Sequence, residues 1–189
     1  MTSEEEESSD RALRGALAAL AVLALAGLGI WALAPAPSGE PARSLGEPFD
    51  GARLVSLAAA GDIARSSGHP VFWAGRLPGL EVAMNRDSRM NVHVRYLPPG
   101  VDPETDRSRF FTIGSYPFEG AFEATARLAG EPGRVEIDLP DGVGFFDRFS
   151  APRVVLALKD HPDLQIEVVH PQPEQALAAV RRGAIVPIE

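Results

Sequence analysis

The chain contains no cysteine. Disulfides, thiolate-held zinc, iron–sulfur clusters and thiol nucleophiles are excluded with it. Lysine is almost absent too, with Lys159 alone among 18 basic residues. No cluster of Lys and Arg exists anywhere, and the formal net charge is −8. That balance excludes the electrostatic footprint of a nucleic-acid binder and docking onto anionic lipid headgroups. No HxH, HxxxH or HExxH spacing, no GxGxxG and no phosphate loop with GK[ST] is present. Without these, no local metal, dinucleotide or nucleotide site can be named, and no cofactor is expected.

What the chain has is one long apolar run. Ala16 to Ala34 reads ALAALAVLALAGLGIWALA, nineteen positions without a charge. As a helix it spans roughly 28 Å, close to the hydrocarbon thickness of a bilayer. Backbone groups inside lipid must be satisfied internally, so a helix is required there. Trp31 falls near one end, where indole favours the interface, and Pro35 and Pro37 stop the helix. A cleaved signal peptide would have a shorter apolar region after a basic start. Here the leader is acidic, Glu4 to Glu7 and Asp10 against Arg11 and Arg14, and Pro35 follows the only cleavage-like box.

The expected layout is therefore an acidic disordered cytoplasmic tail over 1–14, a transmembrane helix over 15–34, a Pro-rich linker over 35–48 and one water-facing domain over 49–189. The first fourteen residues carry a net charge of −3 and residues 45–189 carry −5. Arg11 and Arg14 lie closer to the helix than Arg43 and Arg53, which places the N-terminus in the cytoplasm and the domain outside it.

Within the domain, Asp50 is read as the N-cap of a first helix with Leu54, Leu57, Ala58 and Ala64 on one face and Gly68 as its stop. Val71 to Ala74 is a short apolar strand. Leu80, Val82 and Met84 alternate with Glu81, Ala83 and Asn85, and Met90, Val92, Val94 and Tyr96 with Asn91, His93 and Arg95, and the polar Asn85–Arg89 turn makes the two a hairpin. Phe110 to Ser115 is a further strand, and Pro117 opens a helix that closes at Gly130. The second half repeats the pattern. Val135–Leu139 turns at Pro140-Asp141-Gly142 into Val143–Phe146; Arg153–Lys159 turns at Asp160–Asp163 into Leu164–Val168; Pro171 and Pro173 open a last helix. The fold class is α+β, an antiparallel sheet with helices on one face, preceded by one transmembrane helix. The two halves are either two ββββα repeats or the shared look of strand-to-helix junctions that begin with proline.

The phrases Val71-Phe-Trp-Ala-Gly75, Val94-Arg-Tyr-Leu-Pro-Pro-Gly100 and Thr112-Ile-Gly-Ser-Tyr-Pro117 resemble stretches of uncharacterised membrane-anchored proteins of high-GC Gram-positive bacteria. The resemblance covers most of the domain. It implies the anchor-plus-domain layout and brings no activity with it.

Chemistry is harder to find. His69, His161 and His170 each precede a proline, and His93 sits on the polar side of a hairpin strand. Asp102, Glu104 and Asp106 alternate like the start of a calcium loop, but the glycine and the bidentate glutamate it needs are replaced by Arg107 and Ile113. Gly114-Ser115 lacks the surroundings of a nucleophile elbow. No catalytic or metal-ligating residue is nominated. Trp73, Arg76, Arg95, Tyr96 and Tyr116 are the candidate ligand contacts, because aromatic and arginine side chains dominate binding sites. The expected function is a membrane-tethered binding module with a protein partner in the cell envelope. The alternative is an envelope hydrolase with a site assembled from scattered residues.

Overall fold

In a computed structural model of the chain, the residues described are 49–106, 109–148 and 153–189. The acidic tail, the transmembrane helix and the Pro-rich linker lie outside them. Among the described residues no helix is long and apolar enough to cross a membrane.

Alternating apolar residues build the sheet. The strands are β1 (Phe49–Leu54), β2 (Phe72–Trp73), β3 (Glu81–Arg86), β4 (Val92–Leu97), β5 (Phe111–Pro117), β6 (Arg134–Leu139), β7 (Gly142–Asp147), β8 (Arg153–Leu158), β9 (His161–Val169) and β10 (Val186–Pro187). The helices are α1 (Leu57–Ser66), α2 (Ala121–Ala129) and α3 (Pro173–Arg181). Eight strands form one antiparallel sheet in the order β1-β3-β4-β5-β9-β8-β7-β6, and β2 pairs with β10 alone. The sheet thus consists of two four-strand runs whose last strands, β5 and β9, pair at the centre, Ile113 opposite Val168. Two glycines are dictated by close approach: a Cβ on Gly142 would meet the Ala157 carbonyl at 2.5 Å, and one on Gly114 would meet the Tyr116 ring at 2.5 Å.

The α+β class with a large antiparallel sheet is what the alternation predicts. The placement of the helices is not. Ala60 and Ile63 of α1 and Ala176 and Val180 of α3 enter one core with Met84, Val94, Ile113, Ile166 and Leu156. Helix α2 lies on the opposite face, where Ala129 packs with Phe145 and Val155 and Thr125 Oγ1 accepts from Gln165 Nε2 at 3.1 Å. Helices therefore cover both faces, and the expectation of one face is corrected. The cause is topological. The chain leaves β5 at mid-sheet and must reach β6 at the far edge, and α2 makes that crossing over β9, β8 and β7.

Two local expectations also change. Residues 49–54 form an edge strand, and α1 is capped by Ser56, whose Oγ accepts from Ala59 N at 3.2 Å, not by Asp50. Starting the helix six residues later rotates its buried face to Ala60, Gly61, Ile63 and Ala64, and leaves Leu54 and Leu57 46% exposed each. At the β8–β9 connection the turn is confined to Lys159 and Asp160, so β9 begins at His161.

Candidate functional site

Of the large apolar side chains among the described residues, Leu54, Leu57, Leu80, Phe118 and Val186 stand exposed. Three of these, the leucines, converge on one groove of about 660 Å³. Its walls are the end of β1 and start of α1 (Leu54 to Leu57), the Arg76–Leu80 loop, and Glu81 and Val82 at the start of β3. The sequence places them there for separate reasons. Ser56 ends the strand and caps the helix, and Gly75 and Gly79, both at positive φ, fold Arg76-Leu77-Pro78 back on itself. Exposed apolar surface concentrated in a concavity marks a binding groove more often than scattered exposed leucines do. Glu81 adds a polar feature: its Oε2 is buried and has no hydrogen-bond partner.

The five candidate contacts do not form one site. Tyr96 is a core residue, 2% exposed and stacked on Phe111 at 5.1 Å. Its hydroxyl accepts from Ala74 N at 2.7 Å and donates to Gly75 O at 3.0 Å, which pins the segment between Trp73 and Arg76. Burial pushes its hydroxyl up to about 12, against a counteracting hydrogen bond from Ala74. Trp73 is half-buried against the same core and pairs with Val186. Of the five, only Arg76 lines the groove.

Arg95 and Tyr116 lie on the other face of the sheet. Arg95 is 2% exposed and holds the loop after β4, its Nη1 donating to the carbonyls of Pro103 and Thr105. The same loop sends Glu104 to the backbone N–H of Ala52 on β1, while Asp102 Oδ1 accepts from Glu104 N at 2.8 Å. Two of the three calcium-like carboxylates, Asp102 and Glu104, are thus tied to backbone, and among the described residues no group of three or more His, Cys, Asp or Glu converges for a metal.

Tyr116 belongs to a polar chain that sequence reasoning missed. Its ring lies over Gly114, and its hydroxyl donates to Glu167 Oε2 at 3.2 Å and sits 3.1 Å from His93 Nε2. With the hydroxyl proton given to Glu167, His93 Nε2–H is the donor to the phenol oxygen. Arg153 Nη1 donates to Glu167 Oε1 at 3.2 Å. Beside it, next to α2, a small cleft of about 120 Å³ is lined by Arg134, Asp147, Arg153 and Glu167 among others. The register explains the convergence: His93, Gly114 and Glu167 are direct cross-strand neighbours on β4, β5 and β9. Ser115 faces the other way, buried, and its Oγ accepts from Phe72 N. On the apolar face, Arg86 is fully buried beneath α1 and donates to Ser66 Oγ at 3.0 Å; burial first, and Arg53 second, lower its guanidinium from the ordinary value.

The remaining histidines are apart from both places. His69 contacts the carbonyls of Met90 and Pro70, His161 meets the Phe72 ring, and His170 Nδ1 accepts from Gln172 N. Compared with known proteins, the chain matches no family model, no curated protein and no solved structure.

Proposed function

We propose that this chain is a membrane-tethered binding module of the cell envelope, and that its domain takes a protein partner in the leucine groove. The observation that carries the reading is the convergence of Leu54, Leu57 and Leu80 on one concavity beside an unpartnered carboxylate oxygen. Exposing that much apolar surface costs free energy that an occupant returns, about 25 cal/mol per Å² covered. The tether is the apolar run over 15–34, with the N-terminus cytoplasmic and the domain outside, as the arginine asymmetry supports. The high-GC Gram-positive affinity belongs to the same proposal. So does a duplicated ββββα unit, supported by the two four-strand runs that meet at β5 and β9.

The hydrolase alternative has one supporting observation, the convergence of His93, Tyr116 and Glu167 beside a small cleft. It is the weaker reading, because the tyrosine ring fills the space over Gly114 where a substrate would approach.

A photo-crosslinking amino acid at position 80, in intact cells, tests the binding reading, with position 118 as the exposed control on another part of the domain. One discrete adduct from position 80, absent from position 118 and removed by Leu57→Asp, is expected. Identical adduct patterns from the two positions would sink it. Protease treatment of sealed vesicles tests the tether: cleavage of the domain from the cytoplasmic side alone overturns the orientation.

A further inference from the structure

We infer that the free edge of β6 adds one extended strand of a partner protein, whose side chains alternate basic and apolar. This surface is separate from the leucine groove and lies at the far edge of the sheet from β1.

The eight-stranded sheet ends in β1 on one side and β6 on the other. Strand β1 is closed to a newcomer: its register breaks between Phe49 and Arg53, and Glu104 already takes the Ala52 N–H. Bulged and covered edges resist strand addition. Strand β6 carries neither device. All six of its residues pair in unbroken register with β7, from Arg134 opposite Asp147 to Leu139 opposite Gly142. Arg148 N donates to Gly133 O at 3.0 Å, and at the other end the two-residue turn makes Leu139 and Gly142 a hydrogen-bonded pair. Bonded and non-bonded pairs alternate along an antiparallel ladder, so Gly133, Val135, Ile137 and Leu139 turn their backbone groups to β7. Glu136 and Asp138 turn theirs to the open edge, and among the described residues nothing accepts from those two N–H groups. An unpaired row of this kind is what an extended segment adds to.

The side chains say what the added strand carries. Glu136 and Asp138 lie on one face of β6 and are exposed, so an incoming strand reaches both. Their cross-strand neighbours on β7 are Phe145 and Val143, and neither carboxylate joins an ion pair among the described residues. Arg134, the basic residue of the same strand, is engaged by Glu131 at 3.3 Å and lies 4.5 Å from the centre of the Phe145 ring. Two carboxylates at strand spacing are matched by Lys or Arg at the same spacing, since opposite charges facing across a pair attract. Ile137, between them, points to the opposite face and belongs to the main core, with Leu139 packed against it. The residue between the two cations is therefore apolar. A second copy is a poor occupant. In the two antiparallel registers of fullest overlap, β6 sets Glu136 against its own copy or against Asp138, and residues 45–189 carry a net charge of −5.

The test uses the full chain in nanodiscs of zwitterionic lipid and short fluorescent peptides of alternating lysine and valine. At saturation the peptide should slow hydrogen exchange of the Glu136 and Asp138 N–H groups about tenfold or more, and that of Ile137, already bonded to β7, by less than about twofold. The double variant Glu136→Lys with Asp138→Lys keeps the fold, because lysine suits an exposed edge strand. It should weaken the lysine–valine peptide about tenfold or more and accept a glutamate–valine peptide instead. Glu136→Pro removes one outward N–H and no bond to β7, and should abolish the protection at Asp138. The inference is overturned if the lysine–valine peptide fails to bind at about millimolar concentration, or binds without protecting those two amides. Equal binding by the same peptide with an N-methylated backbone overturns it as well, since charge alone would then hold the peptide. Self-association of the full chain that protects the same amides and is lost in Glu136→Pro would assign the edge to a second copy, with the same result. Each of these outcomes leaves the groove reading to its own crosslinking test.

Discussion

The two faces of the sheet are built by opposite means. On one, α1, α3 and the β2–β10 pair press Ile63, Phe72, Met84, Val94, Ile113 and Ile166 into a continuous core. On the other, among the described residues, α2 and the loop after β4 cover the strands, and the apolar cluster is Ala129, Phe145 and Val155 with Leu128 and Val143 at its margin. Most of the remaining side chains on that face are polar, Asn85, His93, Arg95, Thr112, Tyr116, Glu167 and Arg153 among them, with the buried Ala83, Leu97 and Ala157 between them. The chain's two tyrosines, one on each face, show the difference. Tyr96 uses its hydroxyl to hold backbone in the core, and Tyr116 uses its own to join side chains across three strands. The first arrangement is expected to supply stability and the second to fix geometry, because buried apolar area outweighs partly solvated hydrogen bonds.

Breaking the apolar face should have the largest effect. Ile166 is fully buried on β9, at the centre of the sheet. Ile166→Ala is expected to cost about 3 kcal/mol, transfer and cavity together, in urea unfolding of the full chain in detergent followed by near-UV circular dichroism. Tyr96→Phe comes next. It keeps the ring but orphans a buried N–H and a buried carbonyl, at about 1–3 kcal/mol. Tyr96 also makes a pH prediction. Its folded value of about 12 lies above the ordinary 10, so the neutral hydroxyl is favoured in the fold. Its contribution is intact below pH 10 and is lost as pH rises from 10 toward 12, where the unfolded chain ionises first. Tyr96→Phe should remove that slope; an unchanged slope would show that the hydroxyl is not held as described.

Much of the apolar face is legible in the sequence, because Val82, Met84, Val92, Val94, Tyr96, Ile166 and Val168 recur at the strand period with mostly polar residues between them. The other face is not legible for the same reason. Asn85, His93 and Arg95 look like the solvated side of a hairpin, yet they are 1%, 8% and 2% exposed. What covers this face comes from elsewhere in the chain: the loop after β4 reaches Arg95 and β1, and α2 crosses the neighbouring strands, neither of which strand alternation reports. The groove was hidden by a helix start. With the cap at Asp50, Leu54 and Leu57 read as core; with the cap at Ser56 they are the exposed wall. Trp73 and Tyr96 follow composition into a candidate site list, whereas burial makes them supports of the segment that carries Arg76.

Smaller perturbations probe the polar face. Gly114→Ala places a methyl where the Tyr116 ring lies, and the ring's half-exposed position lets it swing away at the loss of the His93 and Glu167 contacts. About 1 kcal/mol is expected, and the same loss from Tyr116→Phe. The two should not add, since each removes the same bridge; additive costs in the double variant would mean that the tyrosine does not depend on Gly114 for its place.

The smallest effect is the most discriminating. Arg153 is the outermost link of the chain through Glu167, its side chain 52% exposed against 21% for the glutamate. An ion pair so open to water is worth at most about 1 kcal/mol, and Arg153→Ala should cost less than that, shrinking further in molar salt. Its structural consequence should be just as limited. Glu167 keeps Tyr116 as a donor, and Tyr116 keeps His93, so the ring resonances of His93 in a proton–nitrogen correlation spectrum should stay where they are in the parent chain. A large shift at His93 on removing Arg153 would mean that the four residues act as one coupled unit reaching into the small cleft. That coupling would move weight from the groove to the polar face, and from binding toward chemistry.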